Sequence, residues 1–179
     1  SEVGGFLLDP HFYNPSMSSE EKRTYRREQL GLDESRFTLL LGTGAVGANN
    51  HLSLLKQLAA AKVHPQVIAL CGKNQKTFSE IQSWAKSHPQ IPVKAMAYTR
   101  EIPQLMQVSD VLVARPGTGT TCEAIQSGCP IIHNGIGGIM PQEWITVKYT
   151  RKHQISETIH FARSLPSIVD RWMKNRQEV

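Results

Sequence analysis

No stretch of these 179 residues approaches the ~18 uncharged apolar positions that a membrane-spanning helix needs. No signal-peptide pattern is visible either. Cysteine is scarce: Cys71, Cys122 and Cys129 are odd in number and lack CxxC or zinc spacing. That argues against a disulfide scaffold or a zinc site, and reads as three small buried apolar residues in a reducing cytoplasm. Aromatic residues are few, at 7%, and no basic stripe interleaved with aromatics is present, so nucleic acid is not the expected partner. The charge of +5, from 20 cations against 15 acids, still suits an anionic ligand or an acidic lipid. Arg23, Arg26 and Arg27 are the densest basic knot and read as a solvated helix face. No D-x-D and no His/Asp cluster with ligand spacing occurs, and there is no internal repeat or low-complexity tract.

What is present is 40% apolar residues, enough for one domain with a real core. Gly4 to Pro15 is rich in Gly, Pro and aromatics without a period, and reads as an extended connector. Ser18-Ser19-Glu20-Glu21 is a capping box opening a helix that ends near Gly31. Strands are expected at Phe37–Leu41, Val67–Leu70 and Val93–Tyr98. Between them the spacing predicts helices over His51–Ala61 and Asn74–Ser87, the latter burying Phe78, Ile81 and Trp84. A short helix near Ile102–Met106 follows, and helical segments near Gln142–Arg151, Glu157–Phe161 and Ser167–Lys174 close the chain. Strands alternating with helices imply an α/β domain, with a mostly parallel sheet covered on both faces. Ligands of such sheets sit at the strand carboxyl ends, where chain order reverses.

The chain is organised around Asp110–Glu143. Asp110–Ala114 reads as a buried strand, Arg115-Pro116-Gly117 breaks it, and Thr118-Gly119-Thr120-Thr121 opens a helix running to Gly128. Pro130-Ile131-Ile132 starts the next strand. A helix start of this kind offers free N–H groups and a partial positive charge to an anion, though an ordinary βαβ turn has the same outline.

Gly42-Thr43-Gly44-Ala45-Val46-Gly47 matches the dinucleotide fingerprint G-x-G-x-x-G. That fingerprint needs an acid about 20 positions on, and no Asp or Glu occurs between Glu34 and Glu80. A nicotinamide or flavin dinucleotide is therefore disfavoured, and a Walker A loop is excluded because no G-K-[ST] follows. Two glycine-rich turns in one sheet remain, able to hold a diphosphate between them, with Glu123 the nearby acid suited to a ribose diol. A tight structural turn at 42–47 and a dipole-favoured surface acid at Glu123 are the plainer alternatives.

These residues resemble the donor-binding half of the family 28 glycosyltransferases, nearest the diacylglycerol galactosyltransferases. The resemblance runs from Gly5–Phe12 through about Lys148. It rests on Pro92-Val93-Lys94 with Ala97-Tyr98, and on Pro116-Gly117-Thr118-Gly119-Thr120 with Glu123-Ala124, Gly128 and Pro130-Ile131-Ile132. It implies a Rossmann-like three-layer domain, one half of a GT-B fold, with residues 1–16 as interdomain connector and 17–179 as the UDP-sugar-binding domain. By resemblance, backbone near Tyr98 and Thr99 would read the uracil and Glu123 would hold the ribose hydroxyls. Gly42, Thr43, Gly44 and Ala45, with Gly117, Thr118, Gly119 and Thr120, would hold the diphosphate. Gln142 and Glu143 would contact the transferred sugar. The implied reaction is an inverting transfer of a hexose from a UDP-sugar to a diacylglycerol-like lipid. It would use no cofactor and no metal, and its general base would lie on an acceptor-binding domain outside this chain. The expected setting is cytoplasmic, peripheral to a membrane. A non-catalytic nucleotide-diphosphate-binding module, or a single-domain subunit awaiting a partner chain, is the alternative. His133, just after a strand, reads as a structurally satisfied histidine rather than that base. Departures from the family pattern are Arg115 where lysine is frequent, Ala45-Val46 where a polar residue is frequent, and a longer segment between Asn134 and Gln142.

Overall fold

The computed structural model describes residues 7–42 and 50–175. Its strands are β1 (Thr38–Leu41), β2 (Gln66–Gly72), β3 (Val93–Ala97), β4 (Val111–Ala114), β5 (Ile131–Asn134) and β6 (Ser156–Ile159). Its helices are α1 (Ser19–Thr24), α2 (His51–Ala60), α3 (Gln75–Ser87), α4 (Ile102–Gln107), α5 (Thr118–Gln126), α6 (Trp144–Lys152) and α7 (Leu165–Asn175). All pairings are parallel, in the order β3-β2-β1-β4-β5-β6. This is the α/β, Rossmann-like layering expected, and helices cover both faces.

The central strands are apolar on both sides because both sides are covered. In β1, Leu39 and Leu41 join Leu54, Leu55, Leu58, Ile81 and Val169 from α2, α3 and α7. Leu40 points the other way, into a cluster with Leu105, Met106 and Ala124 of α4 and α5. Phe12, from a 3-10 turn at Pro10–Tyr13, is buried in that second cluster.

The capping box at the start of α1 is formed: Ser18 Oγ accepts from Glu21 N at 3.2 Å and Glu21 Oε2 accepts from Ser18 N at 2.7 Å. Beyond Thr24 the helix widens into a π-turn over Tyr25–Gln29, and Gly31, at φ +65°, ends it. The wider turn brings Arg26 inward, which corrects the solvated-knot reading for that residue. Arg26 is buried; it donates to Val108 O at 2.7 Å and Glu34 O at 3.0 Å, and lies 3.6 Å from Asp110 Oδ2. Asp110 in turn accepts from Thr38 N at 2.7 Å, tying the amino ends of β1 and β4. Arg23 and Arg27 are exposed as expected.

A second correction concerns Glu157–Phe161, expected to be helical. Ser156–Ile159 is instead the edge strand β6, in register with β5 from Ile131↔Ser156 to Asn134↔Ile159. Five residues are too few to show a helical period, and the pairing is decided by an open sheet edge. Glu157 is held by α7, accepting from Trp172 Nε1 at 2.6 Å. The third correction is Cys122, which is only half-buried, whereas Cys71 and Cys129 are buried.

Candidate functional site

The sheet order makes β1 and β4 neighbours, paired Leu39↔Val111 through Leu41↔Val113. The chain leaves β1 toward β2 on one side and leaves β4 toward β5 on the other. This is the switch point at which open α/β sheets place their ligands. Because the two strands are parallel, the chain leaves both of them at the same rim, β1 at Gly42 and β4 at Arg115. Gly42 sits against that seam and donates its N–H to Val113 O at 2.9 Å. A methyl group there would stand 3.2 Å from Ala114 Cβ and 3.3 Å from Leu112 Cδ1. Gly42→Ala is therefore expected to destabilise by about 1 kcal/mol through overpacking, read as a lowered urea midpoint. Thr43, Gly44 and Ala45 lie outside the described residues.

The second turn is described throughout. Gly117 caps α5 with no side-chain hydrogen bond, and the first helical bond runs from Thr121 N to Gly117 O at 3.0 Å. The N–H groups of Thr118, Gly119 and Thr120 are therefore the unpaired donors of this nine-residue helix. They carry the positive end of its dipole. Thr118 is exposed, and its hydroxyl lies 3.3 Å from Thr146 Oγ1 of α6. Glu123 falls on the second turn of α5, because the helix begins at Thr118. It is half-buried, and burial, then the nearby Asp9 carboxylate, pushes its carboxyl above the usual glutamate range. Asp9 caps the Pro10–Tyr13 turn, where its Oδ1 accepts from His11 N at 3.0 Å and lies 2.6 Å from His11 Nδ1.

Tyr98 and Thr99 follow β3 at the same rim, two strands from β1. At the usual strand spacing that is roughly 10 Å from the seam. Tyr98 is 66% exposed, with Lys73 Nζ 5.9 Å from its ring centroid, and Thr99 Oγ1 accepts from Glu101 N. Gln142 and Glu143 form a 3-10 turn after β5. Gln142 is exposed, whereas Glu143 is buried. Glu143 Oε2 accepts from Arg115 NH2 at 2.6 Å and from Met140 N at 2.9 Å. Arg115 NH1 also donates to Gly138 O at 2.8 Å and Ile136 O at 3.3 Å. One guanidinium thus holds the whole 136–143 loop, whose Gly137 and Gly138 adopt φ of +84° and +100°. Composition and spacing mark Arg115 only as a strand-terminal cation; its loop contacts have no sequence signature.

Two histidines near the rim are buried. His133 Nε2 lies 2.9 Å from Thr150 Oγ1, whose own proton goes to Thr146 O at 3.0 Å. Nε2 is the ring nitrogen that has a partner, whereas Nδ1 is buried without one among the described residues. Burial lowers the His133 pKa to about 4 despite the pull of Glu143, so the ring stays neutral and inside the fold, in keeping with a structural role. His51, which no motif singles out, begins α2 with Nε2 2.9 Å from Leu70 O and is likewise lowered to about 4 by burial.

Among the described residues no three His, Cys, Asp or Glu side chains are grouped to hold a metal ion, and no helix is long and apolar enough to cross a membrane. The broad grooves at the opposite rim, lined by Arg36, Asp110 and Pro130 among others, lie at the strand amino ends, away from Gly42 and Gly117.

Comparison with known proteins bears on the family and the fold. The chain is 28% identical over 180 residues to monogalactosyldiacylglycerol synthase 1 of Arabidopsis thaliana, covering 96% of this chain and 32% of that protein. It is 28% identical over 131 residues to a processive diacylglycerol beta-glucosyltransferase of Bacillus pumilus, covering 73% of this chain and 33% of the relative. It thus spans about a third of the length of these relatives. The crystal structure of Anabaena HepE in complex with UDP-glucose superposes with a TM-score of 0.60 at 18% identity, over 95% of this chain and 47% of that one. The profile of the glycosyltransferase family 28 C-terminal domain matches residues 38–133, from β1 through β5, and the chain belongs to that family.

Proposed function

We propose that this chain is the donor-binding half of an inverting, metal-independent glycosyltransferase that moves a hexose from a UDP-sugar to a diacylglycerol-like lipid. The observation carrying this reading is the seam at β1 and β4, two adjacent parallel strands from whose shared rim the chain leaves at Gly42 and at Arg115. A diphosphate bridging the turns would accept from the N–H groups of Thr118, Gly119 and Thr120 and from the loop that starts at Gly42, Thr43, Gly44 and Ala45. Glu123 would accept both ribose hydroxyls, and backbone at Tyr98 and Thr99 would meet the uracil edge. Gln142 and the loop anchored by Glu143 would close around the hexose. The solved relative holding UDP-glucose, and the curated relatives named for diacylglycerol transfer, support the donor and acceptor classes.

In the proposed reaction the acceptor oxygen forms a bond to the anomeric carbon as the bond from that carbon to the β-phosphate oxygen breaks, inverting the sugar. The acceptor proton passes to a base on the acceptor-binding portion of the full-length protein. Negative charge grows on the departing UDP, and the helix start meets it with fixed dipoles that need no rearrangement. Residues 1–16 serve as interdomain connector and 17–179 as the donor domain, working at the cytoplasmic side of a membrane.

Calorimetric titration of this chain with UDP is expected to show binding, with UDP-galactose, UDP-glucose and UDP-GlcNAc ranking the sugar. No UDP binding at millimolar concentration would refute the reading. Turnover is expected only when the remainder of the polypeptide is supplied; binding without turnover in that reconstituted protein would leave a nucleotide-binding module instead.

A further inference from the structure

Helix α6 presents a face that the donor site does not use. Thr146, Val147 and Thr150 are buried and hold the helix to the domain. At 100° per residue, Trp144, Ile145, Lys148, Tyr149 and Lys152 share the opposite face, with Arg151 at its margin. Ile145 is 73% exposed, Tyr149 56% and Trp144 46%. Met140, just before the helix, is also exposed, and Tyr149 packs its ring on His153 with centroids 4.6 Å apart. From 144 to 153 there is no acid. The nearest one in sequence, Glu143, is buried in its pairing with Arg115.

We propose that this face of α6 docks on an anionic lipid surface. The chemistry selects that occupant over a protein. Lysine is depleted from protein interfaces, where its strongly hydrated ammonium must be stripped of water. At a bilayer surface the same side chain lays its methylenes along the apolar boundary and keeps its ammonium among the phosphates. Tryptophan and tyrosine favour that boundary because one end of each ring system is apolar and the other wet. Aromatic and aliphatic side chains alternating with cations, and no acid, is the composition of a helix lying in the interface plane. The lipid assignment stands on α6 alone. Its consequence rests on the function proposed above: α6 starts immediately after Gln142 and Glu143, so docking would hold the hexose end of the site against the surface that carries a lipid acceptor.

Sedimentation of this chain with vesicles tests the assignment. Binding is expected to mixed phosphatidylcholine–phosphatidylglycerol vesicles, to fall with added salt, and to be far weaker on pure phosphatidylcholine. Lys148→Gln with Lys152→Gln is expected to weaken partitioning on the order of 30-fold. Ile145→Gln is expected to weaken it about tenfold. Both variants change exposed positions, so circular dichroism and UDP titration are expected to match the parent chain. Failure to bind the mixed vesicles, equal binding to both compositions, or variants that partition like the parent would each overturn the proposal. A chain that binds vesicles but not UDP keeps this surface and refutes the donor reading instead; the converse result does the reverse.

Discussion

Glu123→Gln is expected to remove measurable UDP affinity while leaving the domain slightly more stable at neutral pH. Each hydrogen bond from a ribose hydroxyl to a carboxylate contributes roughly 1.5–3 kcal/mol. Losing the charge from both should weaken UDP by on the order of 100-fold or more, and Glu123→Ala should do at least as much. The stability effect has the opposite sign. Burial, and then Asp9, raise the Glu123 carboxyl above its ordinary range, so the folded protein holds that proton more tightly than the unfolded chain. A raised carboxyl contributes its stability below its unfolded value and loses it as pH rises through the folded value. At neutral pH the ionised carboxylate is therefore a burden on the fold, which glutamine relieves. The gain is small, because the group is only half-buried and water screens it. Thermal melts against pH should show parent and variant converging in acid and separating toward neutrality. UDP affinity should in turn fall on acidification sooner than an ordinary glutamate would allow, and Asp9→Asn should move that limb to lower pH. A Glu123→Gln chain that binds UDP like the parent would remove Glu123 from the ribose.

Arg115→Ala is expected to have the largest effect on stability at the site. It strands the Glu143 carboxylate, which is buried, without its cation, and it leaves Gly138 O without a donor. Breaking such a pair costs about 3 kcal/mol, discounted for the exposed part of the guanidinium. For a domain of this size that lowers the melting midpoint by roughly 5–10 °C. A double-mutant cycle with Glu143→Gln should recover part of the loss, since the two side chains share one interaction. Arg115→Lys separates charge from geometry. An ammonium cannot span Ile136 O, Gly138 O and Glu143 together as the planar fork does. The loop should loosen, so affinity for the UDP-hexose is expected to drop about tenfold while UDP itself changes little. Equal losses for both ligands would show that the loop does not face the sugar.

Much of this was readable in advance, for local reasons. Ser18 and Glu21 form their capping box through neighbours three residues apart, and β1 and β4 announce themselves as short apolar runs, the first ended by Gly42 and the second broken by Arg115-Pro116-Gly117. Other features depend on partners far along the chain. Ser156–Ile159 pairs as a strand because β5 offers an open edge, and Arg26 is buried because a π-turn aims it at Val108 O, 82 residues away. Arg115 and Glu143, 28 residues apart, meet only once β4 and β5 lie side by side.

Periodicity and turn chemistry, taken alone, determined that strands and helices alternate, that the sheet is parallel, and that glycine opens the two candidate turns. Those properties depend on contacts within a few residues, which is the range a linear pattern encodes. Only the tertiary structure decided that β4, some 70 residues downstream in chain order, inserts beside β1 rather than beyond β3. That adjacency comes from which apolar faces can be buried together. It alone brings Gly42, at the end of β1, and Arg115, at the end of β4, to one rim.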